Sequence, residues 1–189
     1  MSEIYSYEIR IPRERVAVLI GDKGKVKRKL ENETKTDIHI DSQEGVVTVA
    51  GSDAISLMDA REIIKAIARG FNPKVAFLLL KQDYSFELID LTQFSRNKND
   101  MGRIKGRIIG AEGRGRKTIE DLTATDITVY GKTVAIVGEI SGVSMAKRAL
   151  SMIIQGSPHS VAFGFLERQR KRAKAMEGWD VDQLESFSE

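Results

Sequence analysis

The strongest constraint on this chain is that most of it is written twice. A shift of 89 positions lays Ile20-Gly21-Asp22-Lys23-Gly24-Lys25 on Ile109-Gly110-Ala111-Glu112-Gly113-Arg114. The match continues with Leu30 on Ile119, Glu31 on Glu120, Thr34 on Thr123, and Thr36-Asp37-Ile38 on Thr125-Asp126-Ile127. Further on the shift falls to 86, where Gly70 and Val75-Ala76-Phe77 meet Gly156 and Val161-Ala162-Phe163. Self-similarity over some 60 positions predicts a tandem duplication. The 189 residues then divide into halves of about 90, each long enough for one small core.

At the centre of each copy stand two glycines separated by two residues. Such a tight turn lets a phosphate backbone approach the peptide plane and aims the next helix's free N–H groups at it. The second copy is the more basic: from Arg103 to Lys117 there are six basic residues against one acid, Glu112. In the first copy Asp22, Glu31 and Glu33 dilute the charge.

The net charge of +3 is mild and hides this patchiness. A further basic run, Arg168-Gln169-Arg170-Lys171-Arg172-Ala173-Lys174, reads as a solvated helix face or an auxiliary phosphate contact. The last thirteen residues hold five acids and no base. The absence of cysteine excludes disulfides and thiolate zinc sites and suits a cytoplasmic location. His39 and His159 stand far apart in sequence, so no metal site or cofactor is expected. No apolar run reaches the roughly 18 residues that a bilayer demands, and no signal peptide is expected.

Hydrophobic periodicity predicts, in each half, strand, helix, helix, strand, strand, helix. In the first half these fall at 4–11, 13–20, 25–35, 37–41, 46–50 and 53–69. The last helix is expected to turn Ile55, Met58, Ile63, Ile64 and Ile67 inward, with Asp53 as N-cap. Residues 72–80 predict an extra helix, apolar enough to lie buried between the repeats. In the second half the elements fall at 86–91, 101–109, a second helix after the turn, 126–130, 133–137 and 142–155, after a polar insertion at 95–100. Pro158 opens a final helix to about residue 176, followed by an acidic, mobile tail that Trp179 anchors.

The Ile-Gly-x-x-Gly turn between two short helices, followed by Thr-x-x-x-Ile leading into a strand, resembles the K-homology (KH) domain. The resemblance implies an α+β chain of two tandem type I KH domains, each a three-stranded sheet covered by helices. The implied boundaries are 1–81 for the first domain with its linking helix, 82–177 for the second with its basic helix, and 178–189 for the acidic tail. Gly106-Arg107-Ile108-Ile109-Gly110, Gly113-Arg114 and Ile153-Ile154-Gln155-Gly156-Ser157-Pro158 carry a narrower resemblance. They are similar to the tandem-KH small-subunit ribosome assembly factors, known in eukaryotes as partners of the Nob-one endonuclease. Lys27 and Arg116 stand where most KH domains place an apolar residue, and that family tolerates a basic one there. In its eukaryotic members the first domain lacks the glycine turn, which is intact here. The family resemblance implies single-stranded RNA binding near the 3′ end of small-subunit rRNA, in ribosome biogenesis and rRNA processing. It also implies contacts with the rRNA-maturing endonuclease and, in archaeal relatives, with the alpha subunit of initiation factor two.

A KH groove clamps about four nucleotides between the turn and the strand behind the second helix. In the second domain the groove residues are expected to be Ile108, Ile109, Ile127 and Val129 as floor, some of them core instead. Gly110, Ala111, Glu112 and Gly113 form the turn; Arg107, Arg114, Arg116 and Lys117 meet phosphates or base edges. Gly21, Asp22, Lys23, Gly24 and Lys25 form a second site, for RNA or for a protein partner. Two other readings use the same scaffold: a regulator of messenger or other RNA, and a protein-interaction platform. An enzyme reading fails on spacing, because Gly110 to Thr118 nearly spells a nucleotide-binding P-loop but Lys117-Thr118 comes one residue late.

Overall fold

The computed structural model describes residues 4–185, with side chains described as far as Ala175. In the first half β1 (Tyr5–Arg10), α1 (Arg13–Ile20), α2 (Lys25–Thr34), β2 (Asp37–Asp41), β3 (Val46–Gly51) and α3 (Ala54–Ala68) follow the expected order. A linker contains α4 (Pro73–Ala76) and a turn of 3-10 helix, Phe77–Leu80. The second half repeats the order with β4 (Tyr84–Asp90), α5 (Lys98–Ile109), α6 (Arg114–Thr123), β5 (Thr125–Tyr130), β6 (Thr133–Glu139) and α7 (Ile140–Ile154). The closing helix is α8 (His159–Glu185). Each half is an antiparallel three-stranded sheet whose last strand in sequence lies in the middle, in the orders β1-β3-β2 and β4-β6-β5.

The two faces of the second sheet go to different partners. Ile89, Ile127, Val134 and Ile136 alternate onto the face that packs on the domain's own helices. Ala135 and Val137 point the other way and belong to the core of the first half, joined by Tyr84 and Phe86. Their cover includes Ala76, Phe77, Leu79 and Leu80, so the linker is buried between the repeats as expected. It is not one helix: after one α-turn, with Pro73 at its first position, the chain tightens into 3-10 geometry. Polar contacts add to this joint. Thr128 Oγ1 donates to the Arg69 carbonyl at 2.8 Å, and the Tyr130 hydroxyl donates to the Glu14 carboxylate. That bond holds Glu14 below the usual carboxylate range and raises Tyr130.

Several local expectations are corrected. Ile55 and Met58 of α3 are 71% and 64% exposed, because Leu57, Ala60, Ile63, Ile64 and Ile67 set the buried stripe and leave them off it. Asp53 does cap α3, its carboxylate accepting from Ser56 N at 2.8 Å. The polar insertion is partly helical: the Asn97 side chain accepts from Asp100 N at 2.9 Å and starts α5 at Lys98. The backbone of α8 continues to Glu185, past the helix end expected near residue 176. The expected anchoring by the Trp179 side chain and the end of the tail lie outside what is described.

Helix and strand are joined alike in both halves. Thr123 Oγ1 donates to the Ile119 carbonyl at 2.7 Å, so the 2.8 Å contact with Thr125 Oγ1 is donated by Thr125. Thr34, Leu30 and Thr36 repeat this. Between the threonines the chain passes through the left-handed region at Lys35 and Ala124.

Candidate nucleic-acid interface

Each turn begins where a short helix is cut off by a glycine that no other residue can replace. Gly110 has φ 73° and ψ 176°, and Gly21 has φ 71° and ψ 177°, a region open essentially to glycine alone. The second glycines, Gly113 and Gly24, take the milder left-handed conformation, as do Glu112 and Lys23 between them. The two turns are therefore the same structure. Gly110 N is held by the Gly106 carbonyl at 2.9 Å and Gly113 N by Gly110 at 3.3 Å. Among the described residues no backbone carbonyl takes the amides of Ala111 and Glu112, which stay available to an anion. A third glycine tightens the second turn: a Cβ on Gly115 would lie 3.1 Å from the Ile108 carbonyl, where the first half has Val26.

The nominated side chains divide. Arg114 folds back over the turn, 3.4 Å from the Ala111 carbonyl and 3.6 Å from Glu112, both side chains exposed. Lys117 is exposed, and Ile109 is 37% exposed beside the turn. Ile108 and Ile127 are core residues, corrected from groove floor: they point into the domain with 0% and 2% exposure. Val129 packs against the same core, so β5 offers the groove its free backbone edge rather than these side chains. Arg107 also leaves the groove. Its guanidinium donates to the Ser157 carbonyl at 2.6 Å, and His159 Nε2 lies 2.6 Å from the Arg107 carbonyl. It therefore braces α5 against the α7–α8 corner.

Beside the turn runs a cleft of about 480 Å³ whose lining includes Gly113, Arg116, Lys117, Glu120 and Asp126. Glu120 was not among the expected site residues. Its Oε1 accepts from Ile127 N on the free edge of β5 at 2.8 Å, and its Oε2 lies 3.6 Å from Arg116 Nε. That distance is too long for a hydrogen bond, and Arg116 Nε is buried without an acceptor. Burial pushes the Glu120 carboxyl up, opposed by the Ile127 amide and by Arg116; burial alone raises Asp126. The first half holds the corresponding residues, with Ile38 N donating to Glu31 Oε1 at 3.1 Å, but there Lys27 lies 3.4 Å from that same oxygen. The matched pair Glu31 and Glu120 in the duplication was the signal that could have found it.

Two stacked copies of a strand-helix-turn-helix-strand-strand-helix unit, each with a Gly-x-x-Gly turn beside a free strand edge, define a tandem type I KH protein. The comparisons agree: residues 85–171 match the model of the eukaryotic-type KH domain (type I), and residues 6–66 match that of the KH domain. A KH domain-containing protein of Methanocaldococcus jannaschii is 43% identical over 93% of this chain and 82% of its own length. The pre-rRNA-processing protein pno1 of Aspergillus fumigatus is 27% identical over 88% of this chain and 69% of that protein. A crystal structure of an a/eIF2alpha–aDim2p–rRNA complex from Pyrococcus horikoshii contains a chain 40% identical to this one, with a TM-score of 0.83 over 89% of this chain and 96% of that one. The chain belongs to the PNO1/Dim2 family of tandem-KH proteins, in its archaeal form.

Proposed function

We propose that this protein is a non-catalytic assembly factor of the small ribosomal subunit, which grips single-stranded rRNA near its 3′ end with the second KH domain. The observation that carries the reading is the second turn. Its two unclaimed amides, Arg114 above it and Lys117 beside it form a positive cradle for a phosphate backbone. The Pyrococcus relative, crystallised with rRNA and an initiation factor subunit, supports the same ligand and makes the alpha subunit of initiation factor two a partner. The rRNA-maturing endonuclease is the second partner and the cytoplasm the place of action. The first turn, where Lys25 pairs with Asp22 at 3.5 Å, serves as a second site for RNA or protein.

Binding of a short RNA matching the 3′ end of small-subunit rRNA, followed by fluorescence anisotropy across a salt series, tests this. With about three phosphates neutralised, log K falls against log salt with a slope of roughly −2. Ala111→Asp weakens binding at least about tenfold, since it sets a charge where a phosphate must sit; Lys23→Asp shows whether the first turn shares the strand. Equal binding of a scrambled RNA, or an Ala111→Asp variant with unchanged affinity, overturns the reading.

A further inference from the structure

We propose that Glu120 is the specificity-determining residue of the second groove, selecting a base whose edge carries an amino donor next to a ring-nitrogen acceptor, as cytosine and adenine do. The inference rests on RNA binding by this groove and adds what the groove reads.

An exposed strand edge ordinarily offers an entering base both an N–H donor and a carbonyl acceptor. Here the donor is taken. The Ile127 amide is already held by Glu120 Oε1 at 2.8 Å, so a base entering the cleft meets a carboxylate instead. The second oxygen, Oε2, has Arg116 Nε at 3.6 Å, outside hydrogen-bonding range. Arg116 Nε itself is buried without an acceptor, but the side chain is 42% exposed and lines the cleft, so the guanidinium supplies the donor there. An acceptor and a donor thus stand side by side on the wall of one cleft, next to the turn that takes the phosphate.

Cytosine complements this pair through its N4 amino group and N3, and adenine through its N6 amino group and N1. Uracil has nearly the same shape as cytosine but the inverse pattern: its O4 faces the carboxylate and its N3–H faces the guanidinium. Both contacts are repulsive, and neither the carboxylate nor the guanidinium gains a partner from the base. The duplicate offers independent support. Glu31 holds the Ile38 amide and faces Lys27 in the first half, although Glu112 and Asp121 near the second cleft have become Lys23 and Asn32 at the matching positions. The carboxylate on the strand edge is retained, as is Asp126 in the form of Asp37, while Glu112 and Asp121 are not.

The test uses the full chain and a set of single-stranded RNAs in which cytosine and uracil are exchanged at one position at a time. Wild type prefers cytosine by about tenfold or more at one position. Glu120→Gln keeps an acceptor for Ile127 N but can turn an amide donor into the cleft. It flattens that one preference by strengthening binding of the uracil-containing RNA, while Glu31→Gln leaves that position unchanged. A second arm needs no variant: N4,N4-dimethylcytosine at the selected position removes the donor and loses as much affinity as uracil does. If wild type binds the RNAs but treats cytosine and uracil alike at every position, the proposal fails and RNA binding stands. An unchanged profile in Glu120→Gln, or full binding of the dimethyl base, also overturns it. If no RNA of the set is bound, both readings fall together.

Discussion

The two glycines of the second turn carry unequal obligations. A Cβ on Gly110 would lie 2.6 Å from Gly115 N, in a backbone region closed to other residues, whereas one on Gly113 meets nothing within 4 Å. Gly110→Ala is therefore expected to cost about 3 kcal/mol or more, from strain and overlap together. Gly113→Ala carries only the left-handed penalty of about 1–2 kcal/mol. Urea unfolding of the two variants measures the difference; equal losses would mean that the turn relaxes around Gly110. The sequence displayed this turn plainly, because a demand for positive φ leaves its mark in residue type. It did not display Glu120. A carboxylate four residues after an arginine reads as a pair on a solvated helix face, and only the strand that folds beside it turns it into a base-facing group. Arg107 misled for the opposite reason: its place in a basic run suggested phosphate, while the distant Ser157 carbonyl holds it.

In the helix-to-strand joint the hydrogen bonds have a direction, and substitutions should feel it. Thr123→Val removes the donor to Ile119 and leaves the buried Thr125 hydroxyl without its acceptor, an expected loss of about 2–3 kcal/mol. Thr125→Val removes only a donor from a hydroxyl that keeps its own bond to Ile119, for about 1 kcal/mol. Thermal melts of the two single variants and the double check the order, with the double costing less than the sum; equal single losses would overturn the donor assignment. At this scale the order of strands and helices was legible throughout, because hydrophobic spacing of 2 or 3.6 residues reports a buried face wherever one exists. The inward set of α3 was less so. Ile55 and Met58 are apolar and nearly in phase, and only the burial of Leu57 and Ala60 fixes which side of the helix is inside. The linker's apolar run announced burial but not its change of pitch.

The whole molecule is held as one unit by the face of the second sheet that joins the first core. With Ala135 and Val137 packed into the core of the other half, neither half is expected to unfold alone. Calorimetry should give a single transition, with van't Hoff and calorimetric enthalpies equal. Leu79→Ala, in the buried linker, should lower that transition by about 2–3 kcal/mol without splitting it; two resolved transitions would show that the halves are merely tethered. None of this coupling was legible beyond the apolar linker, because Ala135 and Val137 read as ordinary strand residues until a second domain lies on them. The motif after each repeat, Val75-Ala76-Phe77 and Val161-Ala162-Phe163, has met two fates. The first copy breaks off after one turn and joins the two halves; the second opens a helix of 27 residues, about 40 Å long at 1.5 Å per residue. That long rod lies against its own domain, through Ala162 and Leu166, instead of turning back to roof another sheet. A third copy added by the same rule would find no lid waiting for it. One motif thus serves as a joint between two domains in its first copy and as a brace on a single domain in its second.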